Sequence, residues 1–288
     1  MSTLINISDR ASDAVALPVP PLEKQERLLR NLRELHSVIV AFSGGTDSAY
    51  LAWAAHRALG IHALAITAIS PSFSAHDREE ALAFARAQGL RHELIETREF
   101  DNPAYTANEP DRCYHCKAEL FGRLAKLRAE RGVGAIAYGA NVDDLRDFRP
   151  GHRAAMEHGI AAPLLDAKLT KTDIRSLSRH EDLSTWDRPA AACLSSRVPY
   201  GTQVTVEGLS RIERAESALR DLGFRQFRVR SHGDLARIEI DKPELQRALQ
   251  ADTAEAIAKL VRVAGFADVI LDPEGYRQGS LNAALKKA

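Results

Sequence analysis

The chain has 288 residues, 45% of them hydrophobic, and this length and apolar content suit one large domain or two ordinary ones. Its 39 Lys and Arg residues balance its 39 Asp and Glu residues, so net charge does not direct it to nucleic acid or to a membrane surface. The apolar runs are far shorter than a bilayer span, and three cysteines, an odd number, suit a reducing cytoplasm.

Residues 1–20 lack a basic start followed by an apolar core, so we expect a frayed tail there rather than a secretory signal. Helical patterns then alternate with short apolar runs. The predicted elements are a helix at 21–36, a strand at 37–42, a helix from the loop 43–48 to about 59, a strand at 62–69, a helix at 75–88, strands at 91–96 and 134–138, and a helix at 172–179. This alternation predicts an α/β fold with a doubly wound parallel sheet, which binds ligands at the carboxyl ends of its strands.

The pattern changes after residue 198, which suggests a second, smaller α/β domain. The predicted elements there are a helix at 207–222, strands at 226–230 and 235–240 joined by a turn at 231–234, helices from 243 and at 253–263, and a strand at 268–271. We therefore predict a domain at 21–198 and a C-terminal domain at 199–288.

The loop 43–48, with the sequence SGGTDS, lies between the first strand and the next helix. Its glycines let the backbone approach an anion, and the free N–H groups of the helix start point towards it. The carboxylate of Asp47 would repel a phosphate unless a cation such as Mg²⁺ bridges the two. A capped helix after a glycine turn is the simpler alternative. The candidate phosphate-binding residues are Ser43, Gly44, Gly45, Thr46, Asp47 and Ser48.

The cysteines form a Cys-x-x-Cys pair, Cys113 and Cys116, and a distant third residue, Cys193. Three thiolates can hold a 4Fe–4S cluster and leave one iron free for an exogenous sulfide. Zinc bound with His115 as a fourth ligand, a redox pair, or three unconnected buried thiols are the alternatives. We place the cysteines in loops at the ligand edge of the sheet, after a loop at 102–110.

The glycine loop resembles the SGGxDS signature of the PP-loop ATP pyrophosphatases, the adenine nucleotide α-hydrolase group. Together with RCYHCK, YGANVDD and PAAACLSSRVPYG, in this order, it resembles the LarE family of ATP-dependent sulfur transferases over about residues 20 to 275. The resemblance implies that ATP adenylates a carboxylate of pyridinium-3,5-biscarboxylic acid mononucleotide and that sulfur then displaces AMP. The product is a thiocarboxylate on the way to a nickel-pincer cofactor. The resemblance to this family also implies that the protein forms a homo-oligomer and receives sulfur from sulfide or another donor.

Members of that family differ in their sulfur source. Some sacrifice the sulfur of one cysteine, and others hold a 4Fe–4S cluster with three cysteines. The presence of Cys113 and Cys116 beside Cys193 places this chain with the cluster type. Without a cluster, Cys193 would be the sacrificial residue.

Further residues are assigned to the nucleotide and its departing pyrophosphate. The candidate cations are Lys117, Lys168, Lys171 and Arg197, because the charge that develops on pyrophosphate needs positive partners. Lys168 and Lys171 resemble the pyrophosphate-binding lysine region of the PP-loop group. Thr67 and Gly139 complete the candidate ATP site, and Asp143 or its neighbour Asp144 could hold Mg²⁺. Asp147, Arg149 and Arg153 could meet the substrate phosphate.

In the C-terminal domain, Arg228 and Arg230 lie two positions apart on a predicted strand and so share a face. Such a pair can clamp a phosphate, and in LarE matching arginines bind the phosphate of the substrate. Glu216 and Glu239 resemble acidic, metal-binding positions of the family. An ion pair of either arginine with Glu239 is the alternative. Ser196 and Arg197 are further substrate-binding candidates.

Three rival functions follow from the same residues. A PP-loop tRNA thiolase can use the same cysteine pattern, but the balanced charge and the lack of a recognisable RNA-binding appendage argue against a nucleic-acid partner. An amide-forming PP-loop synthetase would not need three cysteines. The third alternative is a redox module that binds adenine nucleotides without catalysis. We expect a small nucleotide-like substrate and no membrane partner.

Overall fold

The computed structural model describes residues 20–146, 150–189 and 192–277. Its larger sheet has four parallel strands, β1 (Val38–Ala41), β2 (Ala63–Ile69), β3 (His92–Glu96) and β4 (Ala135–Tyr138). Their order is β3-β2-β1-β4, and Val38 of the central β1 pairs with Ala63 on one side and Ala135 on the other. The carboxyl ends of β1, β2 and β4 therefore meet at one edge. The predicted tail at 1–20 lies, apart from Pro20, outside the described residues.

Helices cover both faces of this sheet. They are α1 (Pro21–Glu34), α2 (Thr46–Leu59), α3 (Ala75–Ala87), α4 (Pro103–Thr106), α5 (Arg112–Arg131), α6 (Pro150–Glu157), α7 (Pro163–Asp166) and α8 (Lys171–His180). Val38 and Val40 face a core built with α1, α2, α3 and α8, whereas Ile39 faces a second core built with α5 and α6. Successive side chains of a strand point to opposite faces, so a strand that is buried on both sides reads as a continuous apolar run.

The smaller sheet follows in the chain and has its own core. Its elements are α9 (Val206–Asp221), β5 (Phe227–His232), β6 (Leu235–Ile240), α10 (Lys242–Ala248), α11 (Ala251–Val263) and β7 (Asp268–Leu271). β5 and β6 are antiparallel, and β7 joins β6 in parallel. Phe227 and Val229 face a core that includes Ile212 of α9 and Val261 of α11. The opposite face of β5 carries Arg228 and Arg230. The domain boundary at 198–199 stays a prediction.

The prediction of an α/β fold with a parallel sheet flanked by helices is confirmed. Two local predictions were wrong, and the helices α5, α6 and α7 were missed. The 20-residue helix α5 was not predicted, because most of its side chains are polar and its buried apolar positions are confined to Leu120, Phe121 and Leu124. Part of the predicted loop 102–110 is the short helix α4. β5 continues to His232 and β6 begins at Leu235, so the turn that was predicted at 231–234 is limited to residues 233 and 234. Within the described ranges no helix has the length and apolar character of a bilayer span.

Candidate functional site

The glycine loop turns sharply from β1 into α2. Gly44 has a φ of +74°, and a Cβ atom there would lie 2.9 Å from the Cβ of Ala81, so both its backbone conformation and its packing require glycine. Gly45 is the N-cap of α2 and provides no side-chain cap for the first N–H groups of the helix. Ser43 and Ser48 join across the loop, with 3.1 Å between their hydroxyl oxygens. An uncapped helix N-terminus next to a glycine loop is a suitable site for a phosphate.

Three elements meet where α2 begins. Lys171, the first residue of α8, donates from Nζ to both carboxylate oxygens of Asp47 at 2.8 Å. Its backbone N–H donates to Oδ2 of Asp143 at 2.7 Å. A Cβ on Gly139, just after β4, would lie 2.9 Å from the backbone nitrogen of Ser48. The structure therefore brings together several nucleotide-site candidates from distant parts of the sequence, and Asp47 is paired with a lysine.

Two other candidates of this group have different surroundings. Thr67 is buried, and its hydroxyl donates to the carbonyl oxygen of Phe42 at 2.7 Å, which joins β2 to the end of β1. Lys168 is exposed and has a φ of +60° in the turn before α8. Of the substrate-phosphate candidates, Asp147 and Arg149 lie outside the described residues, and Arg153 stacks on Tyr114 with its guanidinium carbon 4.0 Å from the ring centre.

We predicted all three cysteines in loops, but only Cys193 lies in one. Cys113 and Cys116 lie in the first turns of α5, three residues apart and so on one side of the helix. Cys193 directly precedes a short 3₁₀ turn, Leu194–Arg197. Arg112 connects the two segments, because its Nη1 donates to the carbonyl oxygen of Ser195 at 2.8 Å. All three thiols are free.

The pKa values of Cys113 and Cys116 depend on burial and on the charges of neighbouring groups. Burial raises the pKa of Cys113, and a negative charge on Cys193 raises it further, against the opposing effect of Arg112. Burial raises the pKa of Cys116 to about 12, Lys117 opposes this shift, and Cys193 and Cys113 add to it. Across the described part of the chain, no three His, Cys, Asp or Glu residues are grouped so that they could hold a metal ion. His115, proposed as a zinc ligand, lies 3.3 Å from a carboxylate oxygen of Asp111.

A buried polar layer behind the thiols was missed by the sequence reasoning. Glu99 is 2% exposed, accepts a hydrogen bond from Ser72 Oγ at 3.2 Å, and its negative charge also raises the pKa of Cys116. Tyr105 and Ser195 share a hydrogen bond of 2.7 Å between their hydroxyls. Ser195 lies within the motif PAAACLSSRVPYG, but Ser72, Glu99 and Tyr105 occur in segments without a recognisable motif, so only the folded chain identifies these three.

A cavity of about 380 Å³ lies between α3, the segment that contains Arg188, and α9 with the second sheet. Ala192, the neighbour of Cys193, lines it. Five arginines also line it, namely Arg188, Arg197, Arg220, Arg225 and Arg228. Four carboxylates line it as well, those of Asp77, Glu80, Asp187 and Glu216, and four of the arginines form ion pairs with them. A guanidinium has five N–H donors in a fork geometry, so a paired arginine can still donate to a carboxylate or phosphate ligand. Only Arg197 and Arg228 of the five were sequence candidates.

Arg197 forms a buried ion pair with Glu216. Its Nε and Nη2 donate to the two carboxylate oxygens at 2.9 and 3.0 Å, and its Nη1 donates to the carbonyl oxygen of Cys193 at 3.0 Å. Burial alone would raise the pKa of Glu216, but the guanidinium of Arg197 outweighs it and the pKa is lowered. Glu216, predicted to bind a metal, thus anchors the arginine that holds the cysteine segment.

Arg230 is bound in the same manner. It donates from Nε and Nη2 to Oε2 of Glu239 at 3.0 and 2.9 Å, and from Nη1 to the carbonyl oxygen of Ser196 at 2.8 Å. This is the ion pair that the sequence left open as the alternative. Arg228, on the same face of β5, lines the cavity and lies over the ring of Tyr276. The two arginines share a face as predicted, but Arg230 is engaged with Glu239.

The structure is an α/β protein with a glycine loop at the end of β1, a cavity lined by five arginines, and three free thiols. No family model matches the chain. It is 45% identical over 266 residues to an uncharacterised protein of Synechocystis sp., covering 91% of this chain and 99% of the relative. It is 34% identical over 266 residues to the pyridinium-3,5-bisthiocarboxylic acid mononucleotide synthase of Lactiplantibacillus plantarum, covering 92% and 96%.

An uncharacterised protein of Methanocaldococcus jannaschii is 30% identical over 259 residues, which cover 89% of this chain and 98% of the relative. The similarity to the synthase extends over nearly the whole of both chains. The chain therefore belongs to the family of that synthase, the LarE family. The family predicted from the sequence motifs is thus confirmed, whereas the iron–sulfur type stays a prediction.

Proposed function

We propose that the protein is an ATP-dependent sulfur transferase of the PP-loop group. It adenylates a carboxylate of pyridinium-3,5-biscarboxylic acid mononucleotide and converts it to a thiocarboxylate for a nickel-pincer cofactor. The observation that carries the proposal is a cavity lined both by Arg188, which binds the carbonyl oxygen of Gly44, and by Ala192, the neighbour of Cys193. The name of the Lactiplantibacillus plantarum relative, a synthase of the bisthiocarboxylic acid mononucleotide, supports the choice of substrate.

The first half-reaction takes place at the glycine loop. ATP phosphates would accept hydrogen bonds from the start of α2 and from the hydroxyls of Ser43 and Ser48. A substrate carboxylate oxygen attacks the α-phosphorus, the bond between the α-phosphorus and the bridging oxygen breaks, and pyrophosphate leaves with the electron pair. Asp47 and Asp143 are the residues that would hold Mg²⁺, which neutralises phosphate charge when bound. Lys171, which binds Asp47 in the structure, would pair with the departing pyrophosphate.

The second half-reaction needs a sulfur nucleophile in the same cavity. Sulfur attacks the acyl carbon, and AMP leaves with the electron pair of the C–O bond. Cys113, Cys116 and Cys193 would be the ligands of a 4Fe–4S cluster, and Arg112 beside them would supply a compensating charge. Among the described residues the three thiols are not grouped as a metal site, so binding a cluster would require the two cysteine segments to move closer together. Such a cluster supplies sulfide from an external donor. The alternative source is the sulfur of Cys193 itself: its thiolate attacks the acyl carbon, and loss of the Cα proton then breaks the Cβ–Sγ bond, which leaves dehydroalanine and releases the thiocarboxylate.

The test measures AMP, pyrophosphate and thiocarboxylate. Purified protein is incubated anaerobically with Mg²⁺, ATP, sulfide and the dicarboxylate mononucleotide, and products are quantified by chromatography and mass spectrometry. We expect AMP and pyrophosphate in equal amounts, and Asp47→Ala should abolish both while it leaves the iron content unchanged. No AMP from the wild type under reducing, anaerobic conditions would refute the proposal.

Two cysteine variants separate the sulfur sources. In the cluster route, anaerobically reconstituted protein contains about four irons, and Cys113→Ala loses the iron and the sulfur transfer together. In the sacrificial route, Cys113→Ala keeps full sulfur transfer and Cys193→Ala abolishes it. We expect the first result.

A further inference from the structure

Arg188 lies between the glycine loop and the cavity, and no sequence motif pointed to it. Its Nη1 donates to the carbonyl oxygen of Gly44 at 2.8 Å, and its Nη2 donates to Oδ1 of Asp77 at 3.0 Å. Its side chain is 12% exposed and lines the cavity of about 380 Å³. Arg188 therefore combines a direct bond to the loop with access to the ligand space.

The reaction restricts where the reactive carboxylate can lie. If the proposed function holds, a carboxylate oxygen must reach the α-phosphorus of an ATP held at the glycine loop. The substrate must therefore occupy the cavity with that carboxylate at the end nearest Gly44. Arg188 is the guanidinium bound to that loop, and a guanidinium can bind a carboxylate with two parallel hydrogen bonds.

The remaining arginines suit the other end of the substrate. Arg228 and Arg220 belong to β5 and α9 of the second sheet, and both line the cavity. A mononucleotide that places its pyridinium carboxylate towards Gly44 can direct its phosphate towards these residues. The cavity thus offers separate cationic groups for the two anionic ends of one molecule.

Contacts other than those of the Arg188 side chain also hold its segment in place. The segment 183–189 is also fixed by Arg175 of α8, which donates to the carbonyl oxygens of Trp186 and Arg188 at 2.7 Å. Thr46 of the glycine loop donates to the carbonyl oxygen of Thr185 at 3.0 Å. Besides Gly44 and Asp77, Arg188 faces Glu80, with 4.0 Å between Nη1 and a carboxylate oxygen. A guanidinium has five N–H donors, so these partners leave donors for a ligand.

We propose that Arg188 binds the substrate carboxylate that is to be adenylated and so orients the mononucleotide in the cavity. This inference rests on the proposed function. It predicts a preference of the protein for a carboxylate over a carboxamide at the pyridinium ring, and it assigns that preference to Arg188.

The test uses two probes, pyridinium mononucleotides that carry either a 3-carboxylate or a 3-carboxamide, and measures their dissociation constants by calorimetry. The wild type should bind the carboxylate more tightly. In Arg188→Ala this preference should fall by about tenfold or more, because a charge-assisted hydrogen bond is lost. Carboxamide binding should change by no more than about twofold. Arg188→Lys, which keeps the charge without the fork, should retain part of the preference.

Arg175→Ala is the matched control, because it loosens the same segment without removing a cavity side chain. It should lower the melting temperature and keep the carboxylate preference. An unchanged preference in Arg188→Ala and Arg188→Lys would overturn the inference, as would an equal loss in Arg175→Ala. If the wild type forms AMP but these results occur, only the inference fails, whereas a wild type that forms no AMP contradicts the proposed function itself.

Discussion

Glu216→Gln removes the charge from a buried ion pair that holds the cysteine segment. The side chains of Glu216 and Arg197 are 2% and 5% exposed, and two hydrogen bonds join them. Glu216 also accepts a hydrogen bond from the backbone N–H of Val229 at 3.1 Å. Glutamine has one acceptor oxygen in place of two, and its amide group would face a guanidinium that only donates. Leaving a buried charge without its partner costs about 3–5 kcal/mol.

The assay is urea unfolding of the wild type and the variant at pH 7, followed by circular dichroism. Glu93→Gln is the matched control, because Glu93 forms the same two-bond pair with Arg131 but its side chain is 35% exposed. Exposed pairs contribute about 0–1 kcal/mol, so this variant should unfold almost as the wild type does. Equal, small losses in both variants would refute the reasoning about burial.

The pH dependence gives a second measure of the same pair. The folded-state pKa of Glu216 is lowered below its ordinary value of 4.5. A lowered pKa contributes stability that is fully present above that ordinary value and is lost as the pH falls through the folded value. The difference in unfolding free energy between wild type and Glu216→Gln should therefore be constant from neutral pH down to mildly acidic pH and should shrink below 4.5. A difference that shrinks near neutral pH would contradict this assignment.

Three further variants test other contacts. Gly44→Ala places a Cβ 2.9 Å from that of Ala81 at a positive φ, so we expect a loss of about 1–3 kcal/mol in urea unfolding and weaker ATP binding. Gly139→Ala pushes a Cβ against the backbone of Ser48 at the start of α2, and calorimetry should show at least about tenfold weaker ATP binding. Cys113→Ala should lose its iron, as measured by colorimetric iron analysis, and still release AMP, because adenylation does not need the thiols. Full iron in this last variant would exclude Cys113 as a ligand.

The order of helices and strands could be predicted because each depends on neighbours in the sequence. Buried strands such as β1 and β2 appear in the sequence as continuous apolar runs. The glycine loop predicts a phosphate site, because Gly44 can adopt the positive φ that the turn requires. The helix α5 could not be predicted in the same way. Its apolar side is narrow, and its packing against β4 and α6 decides its conformation.

The partners of the charged side chains depend on residues that are far apart in the chain. An α/β chain with a glycine loop and three cysteines could be predicted from the sequence alone, since these signals are local. The pairing of Glu216 with Arg197 and of Glu239 with Arg230, and the bond from Arg188 to Gly44 across 144 positions, became known from the folded chain. A buried charge is costly unless it has an ion-pair or hydrogen-bond partner, and the fold determines which partner lies within reach.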